Sequence, residues 1–329
     1  MKRFLKPVVH IIMTVVVIAL ILPQAVFATS LEDNEITSQA AIVIEFATGL
    51  VIYEFNADEM RVPASMTKMA AVYVVFDAIR DGLISMDTVT EISDGVSISS
   101  YNKAFTNVPM PRESSYTIQE LLDVVIVRSA CAATVALGEA IFGNEQVMVA
   151  KMNEKMDQLG IMAVFFDSWG GSPNNKISAR GMAEMTRAFI NEYPEVLNIT
   201  SKSTVVFDGI SYSSTNPLFG DYEGIDGFKT GFTNPAGWCF SGTARRGTRR
   251  IISVTMGSET GHRFPDSVIL LDYGFANYNS VIADHFRTAI WQSNRSIDIK
   301  SVLVPIMLYN IEEARSLELL DLAIALNET

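Results

Sequence analysis

The hexapeptide Pro63-Ala64-Ser65-Met66-Thr67-Lys68 sets a hydroxyl and an amine three residues apart. On a helix such residues share a face, so the Lys68 amine would rest about one turn from the Ser65 hydroxyl. A serine hydroxyl is a poor nucleophile until a nearby base takes its proton, and an amine is that base only when neutral. Burial and the positive end of a helix both favour the neutral amine, and N–H groups of the same turn can donate to an oxyanion. Alone, Ser-x-x-Lys is weak, because many helices carry it on a solvated face. Two later motifs change its meaning. Ser129 lies 64 residues after Ser65, in Val127-Arg128-Ser129-Ala130-Cys131, and Lys229-Thr230-Gly231 lies 100 residues after Ser129. Ser129 is placed to relay a proton from the base to a leaving nitrogen, and Lys229 to add positive charge near a substrate carboxylate. A strand carrying Lys-Thr-Gly offers backbone groups to an extended peptide. Gly231 is expected to leave room for the acyl group, which a side chain there would block.

These residues need a helix under Ser65 and a strand under Lys229. Pro63 sits where a helix can begin, and the apolar run over residues 66–78 stops by Gly82, so Ser65 belongs to the first turn. Residues 41–46 and 50–55 are β-branched or aromatic runs around Ala47-Thr48-Gly49, a hairpin signal. Residues 237–244 and 250–256 are again strands, joined across Arg246-Gly247-Thr248, and Lys229 starts a strand before them. Residues 268–272 read as a helix that ends near Gly274. Between Thr117 and Tyr193 the pattern is helical: Leu121, Leu122, Val125 and Ile126 recur at helical spacing, as do Met148, Met152, Met156 and Leu159. The methionine stripe reads as core filler. Terminal strands around a helical middle predict an α+β fold, one antiparallel sheet holding both ends of the chain with a helical lobe beside it. No repeat, low-complexity tract or Pro-rich linker divides the body.

Composition excludes several functions. With 25 Lys and Arg against 37 Asp and Glu, the formal charge is −12, and 49% hydrophobic with 19% charged residues marks a globular chain. A pI near 4.8 argues against nucleic acid as a partner. His10, His262, His285, Cys131 and Cys239 show no paired spacing, so no metal site is expected, and two cysteines make no disulfide framework. Residues 1–28 read as a secretory signal: Lys2, Arg3 and Lys6, an apolar run over residues 8–22, then Val26 and Ala28 at the −3 and −1 positions. A run of about 15 residues is short for a membrane span, which needs roughly 20. Cleavage after Ala28 leaves a chain of charge −12 − 3 = −15 outside the cytoplasmic membrane; an uncleaved signal would anchor it there.

From about Gln39 to Tyr278 the chain resembles the low-molecular-mass penicillin-binding proteins that are D-alanyl-D-alanine carboxypeptidases. Besides the three motifs, the likeness rests on Ala40-Ala-Ile-Val-Ile-Glu-Phe-Ala-Thr-Gly49, Thr215-Asn-Pro-Leu218, Gly224-Ile-Asp-Gly-Phe-Lys-Thr-Gly231, Ala236-Gly-Trp-Cys239 and Leu270-Leu-Asp-Tyr-Gly-Phe275. The resemblance implies the fold shared with β-lactamases, a five-stranded antiparallel sheet flanked by helices with an inserted, mainly helical lobe. It implies a catalytic domain over residues 29–280, its lobe over about 85–200, and a short C-terminal appendage over 281–329. It implies a reaction in which Ser65 attacks the D-Ala-D-Ala bond of a peptidoglycan stem peptide, releases D-Ala and passes through an acyl-enzyme. β-Lactams would acylate the same serine, and neither a metal nor an organic cofactor is expected. Arg263 precedes Phe264 much as a carboxylate-binding arginine does in relatives, completing a substrate-binding set with Cys131, Lys229, Thr230 and Gly231.

The departures matter too. Relatives carry Asn, usually followed by Asp, where this chain has Cys131 and Ala132; a thiol is only a weak donor and acceptor, so altered activity is expected. Residues 166–171 replace an Asn-Pro-His-Gly-like turn. Glu192-Tyr-Pro-Glu195 superficially matches the deacylating loop of a class A β-lactamase but falls 66 residues after Ser129 (195 − 129 = 66), too late for that loop. Arg245, Arg246, Arg249 and Arg250 read as a solvated hairpin tip. A helix over residues 311–326 would be acidic and a poor ligand for anionic lipid, so no C-terminal membrane anchor is expected. Two functions fit: an active serine D,D-carboxypeptidase, and a catalytically impaired scaffold or sensor that binds muropeptide or β-lactam. A β-lactamase is the weaker third.

Overall fold

The computed structural model describes Leu31 and residues 35–292. The signal expected at residues 1–28, the helix expected at 311–326 and the rest of the appendage beyond 292 lie outside the described residues. The expected hairpin forms from β1 (Ala40–Glu45) and β2 (Val51–Phe55). After it come α1 (Lys68–Arg80), β3 (Val89–Glu91), α2 (Asp94–Ser100), β4 (Ser115–Thr117) and α3 (Ile118–Asp123). Then follow α4 (Cys131–Phe142), α5 (Glu145–Gln158), the short pair β5 (Ala163–Val164) and β6 (Lys176–Ile177), α6 (Ala179–Glu192) and α7 (Leu197–Thr200). The hairpin β7 (Thr204–Phe207) and β8 (Ile210–Ser213) leads to β9 (Ile225–Thr233), β10 (Gly237–Arg246), β11 (Arg249–Ser258) and α8 (Arg263–Gln292).

The main sheet is antiparallel, in the order β2-β1-β11-β10-β9, so the first and last of the described strands pair at its centre, Ala40 opposite Met256. All six residues of β1 are buried, because both faces of the sheet are covered. Its alternation divides them between two cores. Ala40, Ile42 and Ile44 join the core under α1 and α6, whereas Ala41 and Val43 join the core under α8. Strand β9 is left at the edge, where backbone groups stay open to a ligand.

The helical middle packs as its periodicity requires, with Leu121, Leu122, Met148, Met152 and Met156 fully buried. Two expectations fail. Lys229 lies in the middle of β9, not at its start: the strand already begins at Ile225, and Gly227 within it serves close packing, since a Cβ there would lie 2.8 Å from the Thr200 hydroxyl. Helix α8 does not end near Gly274 but continues to Gln292, past the boundary placed at residue 280. Gly274 lies against the sheet, where a Cβ would meet Ile251 Cγ2 at 2.8 Å and Val43 Cγ1 at 2.9 Å. The glycine makes room for β1 and β11 and terminates nothing.

Candidate active site

Ser65 sits in a 3-10 turn, Ala64–Thr67, that runs directly into α1. Pro63 precedes the turn, and Ala64 takes φ +50, a left-handed conformation that a non-glycine residue rarely holds. Lys68 is fully buried at the first position of α1, where the resemblance needs an amine shielded from water. Its Nζ lies 2.9 Å from Ser65 Oγ, 2.6 Å from the Trp169 carbonyl oxygen and 3.4 Å from Cys131 Sγ.

The second motif is aimed by backbone geometry. A π-helical turn, Val124–Arg128, ends at Ser129 with φ +68, and α4 starts at Cys131. This reversal brings Ser129 and Cys131 to the same cleft wall. Ser129 Oγ accepts a hydrogen bond from Lys229 Nζ at 2.9 Å, and Lys229 donates to the Thr230 carbonyl at 3.0 Å. Burial holds Lys229 well below the usual lysine range, helped by repulsion from Lys68 and Arg263 and opposed by Cys131. Thr230 Oγ1 donates to Thr215 Oγ1 at 2.7 Å.

Gly231 has a nearer reason than room for an acyl group. A Cβ there would lie 2.7 Å from the Pro63 carbonyl oxygen and 3.2 Å from the Ser65 nitrogen, so only glycine lets β9 lie against the nucleophile's own turn. Arg263 opens α8, donates to the Gly231 carbonyl at 3.3 Å, and is sandwiched between the rings of Trp238 and Phe264 at 4.8 and 4.5 Å. Burial lowers it to about 10.

Ser65, Ser129, Cys131, Thr215, Thr230 and Arg263 line one cleft of about 480 Å³, with Lys68 and Lys229 buried behind it. Aromatic pairs flank it: Phe105 meets Trp169 edge-on at 4.8 Å, and Phe232 meets Trp238 at 4.2 Å. Among the described residues no carboxylate lines the cleft, whereas Arg263 does and Lys68 and Lys229 stand behind it. The arrangement suits a ligand that carries a carboxylate beside an acyl group. Cys239, by contrast, is a buried structural thiol, pushed up to about 11 by burial. Among the described residues no three His, Cys, Asp or Glu side chains gather to hold a metal.

The motifs do not single out the Trp169 carbonyl, although residues 166–171 stand out as a departure with a Gly170-Gly171 pair. Thr215 and Trp238 were visible only as parts of the family-like stretches. The Glu192-Tyr-Pro-Glu195 stretch stands apart from the site: Glu192 bonds Tyr73, Arg80 and Lys155, and neither it nor Glu195 lines the cleft. The arginine cluster is engaged rather than merely solvated: Arg246 pairs with Asp272, Arg250 with Asp226, and Arg249 lies over Tyr278.

Comparison with known proteins agrees with the geometry. The D-alanyl-D-alanine carboxypeptidase family matches residues 27–260. The D-alanyl-D-alanine carboxypeptidase DacA of Haemophilus influenzae is 34% identical over 269 residues, which cover 77% of this chain and 67% of the relative. DacF of Bacillus subtilis is 30% identical over 300 residues, covering 85% and 72%. Among solved structures, penicillin-binding protein D2 of Listeria monocytogenes in its ampicillin-bound form superposes with a TM-score of 0.66 at 30% identity, covering 75% of this chain and 99% of that one.

Proposed function

The chain belongs to the D-alanyl-D-alanine carboxypeptidase family, and on that footing we propose that Ser65 carries the acyl group and Lys68 is its base. The protein is a penicillin-sensitive serine-type D-Ala-D-Ala carboxypeptidase. Lys68 Nζ takes the Ser65 proton as Oγ attacks the carbonyl carbon of the penultimate D-Ala. The oxyanion that forms draws on the Ser65 N–H beside Gly231. Ser129 relays the proton held by Lys68 to the leaving nitrogen, which leaves Lys68 neutral again; the C–N bond breaks, and D-Ala departs with its carboxylate held by Thr230, Lys229 and Arg263. Water then attacks the Ser65 ester, Lys68 takes its proton and returns it to Ser65 Oγ as the ester C–O bond breaks, and the shortened stem leaves. Cys131 borders the acyl chain from the lobe side. The working place of the protein is outside the cytoplasmic membrane, reached through the signal at residues 1–28 and consistent with a wall-peptide substrate.

The observation that carries this reading is the 2.9 Å approach of Lys68 Nζ to Ser65 Oγ beside the 2.9 Å pair of Lys229 and Ser129. The test is a paired assay on residues 29–329: a covalent penicillin adduct located on Ser65 by mass spectrometry, and D-Ala release from diacetyl-Lys-D-Ala-D-Ala, both absent in Ser65→Ala. Cys131, 3.4 Å from Lys68, keeps the scaffold reading in play. Ligand binding that survives Ser65→Ala, with no adduct and no turnover in the unaltered protein, would establish that reading instead.

A further inference from the structure

We propose that Asp167 is a positioning residue that aims the catalytic amine through a single peptide group, an inference that rests on Lys68 being the base. A neutral amine has one lone pair and two N–H bonds. If the lone pair faces the Ser65 hydroxyl, the two N–H bonds need acceptors on the other side, and the structure offers two: the Trp169 carbonyl at 2.6 Å and the Cys131 sulfur at 3.4 Å. A thiol accepts weakly, so the carbonyl dominates the orientation of the amine.

That carbonyl is held from behind. The peptide between Trp169 and Gly170 is planar, with its C=O and N–H pointing in opposite directions. The C=O faces Lys68, and the N–H of the same peptide donates to Asp167 Oδ1 at 2.6 Å. Asp167 therefore fixes the direction of the acceptor that Lys68 uses, and its charge polarises the amide toward a stronger one. Its carboxylate also takes the N–H groups of Gly171 and Ser172 and the side-chain amide of Asn175, and the fully buried Asn175 also reaches Thr67 Oγ1, at 3.4 Å. Gly170, at φ +90, lies against the nucleophile turn so closely that a Cβ would stand 1.9 Å from the Ala64 carbonyl oxygen. The loop is thus seated on Ser65's own turn, and Asp167 ties the one carbonyl that matters. The chain that has a thiol at position 131 keeps its base oriented from the opposite wall.

The two supports are then partly redundant, which a merely structural loop residue would not show. Asp167→Ala lowers the second-order rate of Ser65 acylation by β-lactam roughly 10- to 100-fold, the range set by losing one charged hydrogen bond, with binding little changed. In a Cys131→Asn background, where an amide oxygen supplies a strong acceptor, the same substitution costs less than about 3-fold. Asp167→Asn, which keeps an acceptor oxygen without the charge, falls between. Equal losses in the two backgrounds, or no loss in either, overturn the proposal. Thermal unfolding of each variant separates misfolding from misorientation, and Asp167→Asn carries the test if the alanine variant does not fold. An unaltered protein that neither acylates nor releases D-Ala would instead defeat the assignment of Ser65 and Lys68, a distinct result.

Discussion

Lys229 shows how one buried cation sets two pH trends of opposite sign. Burial first, then Lys68 and Arg263, favour its neutral form, while Cys131 opposes them. Its proton affinity is therefore lower in the folded chain than in the unfolded one, so between the depressed value and the ordinary lysine range the unfolded chain binds more protons. Stability contributed by this group rises with pH through that window. Arg263, lowered to about 10, acts in the same direction at its own, higher range. Substrate affinity moves the other way, because a neutral Lys229 no longer attracts the terminal carboxylate. The expected outcome is a KM for D-Ala-D-Ala peptides that climbs with pH below the range where ordinary lysines titrate, while the melting temperature does not fall in step. Lys229→Arg, which stays charged, flattens the KM rise. A KM that is flat with pH in the unaltered protein would show that the charge at Lys229 is not used in binding.

At the scale of elements, two glycines separate chemistry from stability. Gly231→Ala pushes β9 off the nucleophile turn, because its Cβ meets the main chain at Pro63 and Ser65, neither of which can move without moving Ser65. Displacements of about 1 Å cost about 100-fold in rate, and acylation should fall at least that far. Gly274→Ala tests the opposite case. Alanine gains up to about 1 kcal/mol of helix propensity over glycine, but overpacking against Ile251 and Val43 costs about 1–3 kcal/mol, and both are branched side chains locked in the sheet. Overpacking wins, so the melting temperature should drop while acylation per folded molecule holds; a stabilised variant would mean that the crossing of α8 over β1 and β11 is loose. Gly274 also marks what could be read from sequence. The β1–β2 hairpin, the methionine stripe and the three motifs were legible, because their signals are side-chain identities at fixed spacing. Gly274 misled for one reason: a glycine that stops an element and a glycine that lets two elements touch look alike until the partner, Val43, is in place. The Trp169 carbonyl was invisible for another, since every residue has one and only the fold says which faces a base.

Across the whole molecule, the lobe is tied to the nucleophile helix by a polar cluster on the side of α1 away from the cleft. Lys155 on α5 pairs with Asp77 on α1 at 3.1 Å and with Glu192 on α6 at 2.9 Å, and lies over the Tyr73 ring at 4.1 Å. Tyr73 donates to Glu192 and Tyr193 to Asp77, and burial together with those carboxylates pushes both hydroxyls up, so they remain donors. In the Glu192-Tyr-Pro-Glu195 stretch, which falls too late in the sequence for a deacylating loop, Glu192 is instead a tie between three helices. Removing Lys155 would leave two carboxylates short of their shared cation, at a cost of about 3–5 kcal/mol for a buried pair. Arg80 still reaches Glu192, and both tyrosines still donate, so the lower end applies. Lys155→Met should therefore lower the melting temperature by roughly 6–12 °C. None of these groups touches Lys68 or lines the cleft, so the rate of β-lactam acylation per folded molecule should be unchanged at a temperature where the variant is folded. If acylation falls in parallel with the melting temperature, α1 carries strain from the lobe to its first residue, Lys68, and the two halves of the molecule act as one machine rather than as a scaffold with a site upon it.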